Sequence, residues 1–267
     1  MHPLNTICIH LYVYTNIKFD FSHSDIAVIG GSSGIGREVC LQLGIRGANV
    51  GILDIDENGG KTTVEQVKNN SVKSQYFFTD VTKEKSIRES IEEFIRVFKK
   101  MDAMIYTASI INRKPFLDLT GDQIERLFKI NLHGPMIATQ SALEHMMSQG
   151  YGRIVLFSSA NSQGAKNNSD YAASKAALDS FTRSLSVEIR DMQKDITINS
   201  VVPPPTLTEL WSKGRTQTQI EQAVKTGEVY STKEMISTIL FLTSSESGSV
   251  SGQIISHKAN LLRIPNK

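Results

Sequence analysis

Ile29-Gly30-Gly31-Ser32-Ser33-Gly34-Ile35-Gly36 decides how the rest of the chain is read. A short apolar run, Ile26–Ile29, leads into it, and a helical stretch, Ile35–Gly44, leads out. Glycines at a strand-to-helix junction permit a tight turn. They also let backbone N–H groups approach a pyrophosphate at the helix N-terminus. The spacing is Gly-x3-Gly-x-Gly, and glycines elsewhere simply punctuate turns. Context adds weight. Asp54 lies 24 positions past Gly30 (54 − 30), closing the next apolar run, Asn49–Leu53. A carboxylate there can accept hydrogen bonds from adenosine ribose hydroxyls. An aspartate there can equally cap the helix that follows.

Working outward, short apolar runs alternate with longer amphipathic stretches. Strands are expected at Ser74–Phe78, Ala103–Tyr106, Arg153–Phe157, Thr197–Val202 and Gln253–Ile255, besides the two already named. Helices are expected at Asn58–Asn69, Lys83–Lys99, Asp122–Met147, Tyr171–Met192 and Lys233–Leu242, and Pro135 can kink the third of these. In Lys83–Lys99 the residues Ile87, Ile91, Phe94, Ile95 and Phe98 share one face. Strands alternating with helices imply βαβ units, hence a parallel sheet with right-handed crossovers. The fold class expected is α/β, a doubly wound Rossmann-like sheet in a single domain over residues 25–267. The polar stretch Thr206–Gly227 interrupts the alternation. It reads either as a substrate-covering insertion or as an ordinary surface helix-loop. Residues 1–24 form an extension. Its stretch Thr6–Phe21 is rich in β-branched and aromatic residues and suits an extra strand, or a loosely attached leader. Ile7–Tyr14 lacks the flanks of a signal peptide.

Composition removes several function classes. The chain has 267 residues, 40% apolar and 21% charged, enough for a sizeable core. Its 29 basic and 27 acidic residues leave +2, so no nucleic-acid partner is expected. No apolar run reaches the roughly 18 residues of a membrane helix, so no membrane partner is expected either. Cys8 and Cys40 make no disulfide framework or zinc site, which fits a reducing cytoplasm. The six histidines lack ligand spacing, and no metal is expected.

Several ordered motifs at compatible spacings together resemble the short-chain dehydrogenase/reductase family, over about Asp25 to Ile255. The glycine stretch is similar to the family's TGxxxGIG cofactor motif, with Ile29 in place of threonine. Thr79-Asp80-Val81-Thr82 resembles its acidic turn against adenine. Ile130-Asn131-Leu132-His133-Gly134 resembles its central-helix asparagine motif, and Tyr171-Ala172-Ala173-Ser174-Lys175 its YxxxK motif. The resemblance implies a nicotinamide cofactor on Gly30, Ser32, Ser33, Gly34, Ile35, Gly36, Asp54, Asp80, Val81, Ala108, Tyr171 and Lys175. It implies a secondary alcohol or ketone as substrate, with dimers or tetramers built on the helices Asp122–Met147 and Tyr171–Met192.

The catalytic residues so implied are Asn131, Ser159, Tyr171 and Lys175. Tyr171 would exchange a proton with the substrate oxygen, and Ser159 would orient that oxygen. Lys175 would hold the nicotinamide ribose and lower the Tyr171 pKa, and Asn131 would support a water linking Lys175 to solvent. Residues four apart share a helix face, and an ammonium beside a phenol stabilises phenolate. Ser159 is preferred to Ser158 because the second serine before a small residue matches the family register. Asp54 favours NAD(H), since it would repel the 2′-phosphate of NADP(H). Arg37, just after the glycine turn, argues for NADP(H) as the alternative. Trp211, in the insertion, can cap the substrate or anchor the insertion to the body.

Three departures stand out. Tyr106-Thr107-Ala108-Ser109 replaces asparagine-asparagine-alanine-glycine, and Pro203-Pro204 replaces proline-glycine. Ser256-His257-Lys258-Ala259 replaces the usual valine-aspartate-glycine-glycine end. They keep two other readings open: a non-catalytic dinucleotide sensor, and a cofactor-assisted isomerase or epimerase.

Overall fold

The computed structural model describes residues 19–256. Their seven strands are β1 (Asp25–Ile29), β2 (Asn49–Asp54), β3 (Ser74–Phe78), β4 (Ala103–Tyr106), β5 (Tyr151–Phe157), β6 (Asp195–Val202) and β7 (Ile254–Ser256). They form one parallel sheet in the order β3-β2-β1-β4-β5-β6-β7. Helices α1 (Gly34–Ile45) and α2 (Glu57–Lys68) cover one face with α9 (Ile236–Thr243). The other face carries α3 (Glu84–Phe98), α5 (Gly134–Gln149) and α6 (Ser169–Asp191), with α4 (Gly121–Phe128) just ahead of α5.

β1 reads DIAVI, and all five residues are buried because helices cover both its faces. Successive side chains point to opposite sides. Ile26 and Val28 join the core on the α1 side, with Val39 and Leu43, while Ala27 and Ile29 join the core on the α3 side, with Ile91 and Phe94. The chain runs outward from β1 to β3, then crosses back to β4 and continues the other way. That reversal leaves a crevice at the carboxyl ends of β1 and β4, where such sheets bind ligands.

Strand and helix ends fall within one or two residues of the expected positions, with two exceptions. Lys233–Leu242 begins as a 3-10 turn, Thr232–Met235, before α9. The expected helix Asp122–Met147 is two helices, α4 and α5, joined by a π-helical turn, Lys129–His133. The cause lies partly in Pro135, which has no N–H for the Asn131 carbonyl and sits in the first turn of α5. The Gly134 N–H bonds the Lys129 carbonyl, five residues back. The Ile130 carbonyl accepts the buried Tyr106 hydroxyl at 2.8 Å. A Cβ at Gly134 would lie 2.5 Å from that hydroxyl oxygen, so the turn and Tyr106 fit each other only through glycine.

The insertion holds two short helices, α7 (Glu209–Ser212) and α8 (Gln217–Lys225), and returns through a bridge between Thr206 and Tyr230. The extra strand suggested within Thr6–Phe21 lies almost wholly outside the described residues. Phe19 and Phe21 are described, and both are buried in the core. Most of the altered C-terminal motif, from His257 on, also lies outside. No described helix is long and apolar enough to cross a membrane.

Candidate active site

Two cavities meet beyond the carboxyl ends of the central strands. The first, about 450 Å³, is lined by Gly30, residues 33–36, Asp54, residues 79–82 and residues 107–110. The second, about 920 Å³, is lined by Ser159, Tyr171, Arg113 and much of the insertion. Ile35, Thr208 and Leu210 border both.

The glycine turn packs backbone against backbone. Gly30 has φ +90°, and a Cβ on it would lie 2.5 Å from the Ala108 nitrogen. A Cβ on Gly36 would lie 2.1 Å from the Gly30 carbonyl oxygen. Thr107 completes the junction, its hydroxyl 3.0 Å from the carbonyl oxygens of both Ile29 and Gly30. Ser33 makes no side-chain capping bond to α1, so no side chain occupies the helix's first N–H groups. An uncapped helix start, a cradle that any Cβ would fill, and an acid at the end of β2 together fit a dinucleotide.

Asp54 sits on this cavity wall, with its carboxylate fixed by backbone. Oδ2 accepts the Ser32 N–H and Oδ1 the Asp56 N–H, each at 3.0 Å. Ser32 itself is buried off the wall, and its hydroxyl donates to the Asp56 carbonyl. Arg37 turns away toward α2. It donates to the Thr63 hydroxyl at 3.0 Å and to the Ser32 carbonyl. Asp80 and Val81 also line the cavity. Burial opposes the Asp80 charge. Bonds from Thr82 and Lys83 outweigh it and hold the carboxyl below its usual range.

Tyr171 and Lys175 lie one turn apart on α6. The Lys175 ammonium donates to the Phe157 carbonyl, the last residue of β5, at 2.7 Å. It lies 5.6 Å from the Tyr171 ring centre. Ser159 follows two residues after Phe157, and its hydroxyl accepts the Asn161 N–H at 3.2 Å, starting a 3-10 turn. Ser159 shares the larger cavity with Tyr171, whereas Ser158 is buried on the side of Asp179. Asn131 lies in the π-helical turn, and its side chain is fully engaged by protein. Its amide bonds the Ile110 N–H and carbonyl, each at 2.9 Å, and the hydroxyls of Ser109 and Ser174. It splints the loop after β4 to α6.

The sequence reading assigned no catalytic part to three groups here. Asp170, buried at the start of α6, accepts the Tyr171 N–H at 2.8 Å and the Asn112 side chain at 2.6 Å. An acid in a first helical turn was the available signal. Ser109 donates to Asn131 at 3.1 Å and lies near enough to the Tyr171 phenol to favour its ionisation. Arg113 lies close enough to favour ionisation of that phenol. The loss of the family glycine pointed to Ser109, and the position of Ile110–Arg113 just after β4, where the sequence places part of the substrate pocket, pointed to Arg113 without giving it a role.

The expected lowering of the Tyr171 pKa by Lys175 is corrected by the structure. Burial pushes the phenol above its ordinary value; hydrogen bonds from Ser159 and Ser109 and the charge of Arg113 offset only part of this. The ammonium is itself penalised. Burial, opposed by Asp179, brings Lys175 down to about 8. Burial likewise raises the Asp179 carboxyl, against the nearby Ser158 and Ser162 hydroxyls.

The sequence pattern of the short chain dehydrogenase family matches residues 25–219. The chain belongs to the short-chain dehydrogenase/reductase family. Among relatives, an uncharacterised oxidoreductase of Thermotoga maritima is 30% identical over 245 residues, 88% of this chain and 96% of its own. A cyclopentanol dehydrogenase of Comamonas testosteroni is 28% identical, covering 85% and 92%. The crystal structure of a putative gluconate dehydrogenase from Agrobacterium tumefaciens superposes with a TM-score of 0.84 at 26% identity, covering 93% and 99%. The family consists of oxidoreductases that bind NAD(P)(H), and it includes enzymes of alcohols and ketones. The residues that depart from the family pattern after β4 make contacts of their own. Thr107 supplies a hydroxyl to the glycine turn, Tyr106 closes the π-helical turn, and Ser109 reaches the phenol.

Proposed function

We propose that this protein interconverts a secondary alcohol and a ketone with NAD(H) as hydride carrier and Tyr171 as acid/base. The observation that supports this most is the wall shared by the Tyr171 and Ser159 hydroxyls, in a cavity adjoining the glycine cradle. The nicotinamide, when bound, supplies hydride transfer. The chain's own residues do the rest. Gly30, residues 33–36 and Ala108 hold the pyrophosphate and its neighbours by close backbone approach. Asp54 takes the adenosine ribose hydroxyls, and Asp80 and Val81 flank the adenine. The Lys175 ammonium holds the other ribose. Ser159 donates to the substrate oxygen and orients it. Tyr171 gives that oxygen a proton in reduction and takes it back in oxidation. Burial alone would keep the phenol neutral, which suits the donor; Ser159, Ser109 and Arg113 stabilise the phenolate left behind.

NAD(H) is favoured over NADP(H) on two grounds. The Asp54 carboxylate would face a 2′-phosphate, and Arg37 is bonded away from the cavity. A homodimer or homotetramer through α5 and α6 is part of the proposal. Met136 and Val187 expose apolar surface on those helices. Intact contacts around the altered β4 motif favour an enzyme over a non-catalytic dinucleotide sensor.

The test is NADH oxidation with a panel of ketones. Tyr171→Phe removes the hydroxyl and keeps the ring. Turnover should fall by about 100-fold or more, with NADH affinity retained. A near-normal rate in that variant removes Tyr171 from the mechanism.

A further inference from the structure

The larger cavity carries more positive charge than the proposed chemistry uses: Arg113, which favours the phenolate, is joined there by Arg215, which has no part in it. Arg113 leaves the loop after β4 in a left-handed conformation, φ +54°. Its guanidinium reaches the insertion and donates to the carbonyls of Leu210, Trp211 and Lys213, at 3.2, 2.8 and 2.7 Å. Arg215 donates to the same Trp211 carbonyl and sits over the Trp211 ring, 4.1 Å from its centre. Two cations 102 positions apart (215 − 113) therefore converge on one carbonyl oxygen, beside Tyr171 and Ser159.

Among the described residues, no carboxylate lies within ion-pair distance of either guanidinium. Glu228 is the one acid on the wall, and it is exposed. Both arginines are half-buried. Burial disfavours both charges, and Arg215 adds to the effect on Arg113. Bringing two like charges together in partial burial is unfavourable, and carbonyl dipoles offset only part of it. An arginine has five donors, of which these bonds engage only some. A planar carboxylate matches the guanidinium fork and would complete the site.

We propose that the substrate is an oxo or hydroxy acid, its carboxylate held by Arg113 and Arg215 and its reacting oxygen by Tyr171 and Ser159. The proposal rests on the oxidoreductase reading above and adds the substrate class. No bond of the carboxylate changes in the reaction. The group is an anchor, and its distance from the reacting carbon selects among acids. The cavity volume, about 920 Å³, admits an acid larger than a two- or three-carbon one.

Matched pairs test this. 4-Oxopentanoate and 4-oxo-4-phenylbutanoate are compared with their methyl esters and primary amides, which keep the ketone and remove the charge. With NADH present, kcat/KM for each acid should exceed that for its ester by about 10- to 100-fold, the scale of charge-assisted hydrogen bonds. The acid-to-ester ratio should collapse at least tenfold in Arg215→Gln, through KM rather than kcat; in Arg113→Gln the ratio should collapse likewise, with a fall in kcat for acid and ester alike because Arg113 also favours the Tyr171 phenolate. Trp211 is the only tryptophan in the chain and stacks on Arg215, so its fluorescence reports binding without turnover. The acids should perturb it saturably in the NADH complex, and the amides should not. Equal or better use of the esters, or equal fluorescence binding of acid and amide, overturns the proposal while leaving the redox reading intact. Failure to bind NADH, or a wild-type rate in Tyr171→Phe, counts against the redox reading instead. Retained NADH binding by the arginine variants shows that they are folded.

Discussion

Replacing Lys175 by methionine removes an ammonium that is 2% exposed and bonded to the Phe157 carbonyl. In the folded protein, burial, opposed by Asp179, brings this lysine from 10.5 to about 8. Its folded pKa is therefore depressed, unlike that of a lysine gaining an acid partner. Between pH 8 and 10.5 the unfolded chain binds a proton that the folded chain does not. Stability must then rise with pH across that window, and the lysine's burden on the fold is complete below it. The shift of 2.5 units (10.5 − 8) corresponds to about 3 kcal/mol, at roughly 1.4 kcal/mol per unit. Urea unfolding of the cofactor-free wild type and Lys175→Met, from pH 7 to pH 10, measures it. Tyrosines and other lysines titrate in both proteins, so the difference between the two curves isolates Lys175. Wild type should gain on the variant by most of about 3 kcal/mol, with the gain beginning near pH 8. A difference that stays flat over this range refutes the reasoning. The same titration governs function. If the ammonium holds the nicotinamide ribose, NADH affinity of the wild type should decline as pH passes about 8, and the variant should show no such step.

Other outcomes follow from the same contacts. Asp54→Ser removes the charge that faces a 2′-phosphate and should shift the preference toward NADPH by about 1–3 kcal/mol; tighter NADPH than NADH binding by the wild type would remove Asp54 as the discriminator. Gly36→Ala forces a methyl group to 2.1 Å from the Gly30 carbonyl oxygen. Urea unfolding should show a loss of about 1–3 kcal/mol, and NADH binding should weaken with it; an unaltered midpoint would contradict the close packing of the turn. Sedimentation at micromolar concentration should show a dimer or larger, and monomer alone would rule out assembly through α5 and α6.

What the sequence determined is what short-range patterns encode. Burial on both faces makes the strands continuous apolar runs, and covering helices need an apolar stripe, so their alternation is legible residue by residue. The glycine turn is legible because only glycine tolerates the Gly30 φ and the Gly36 contact. Tyr171 and Lys175 are legible because one helical turn brings them to one face. Tertiary structure decided what depends on distant partners. The break of Asp122–Met147 into two helices needs Tyr106, from another strand, to take the Ile130 carbonyl. Arg153, read simply as the start of a strand, is fully buried because Ser244 and Asp195 supply carbonyls and Asp195 a carboxylate at 2.9 Å. Ser109 and Asn131 meet over 22 positions, and Arg113 reaches Trp211 over 98. The Tyr171 pKa also followed burial rather than its helical neighbour, because desolvation is set by everything packed around a group and not by the residue four positions away.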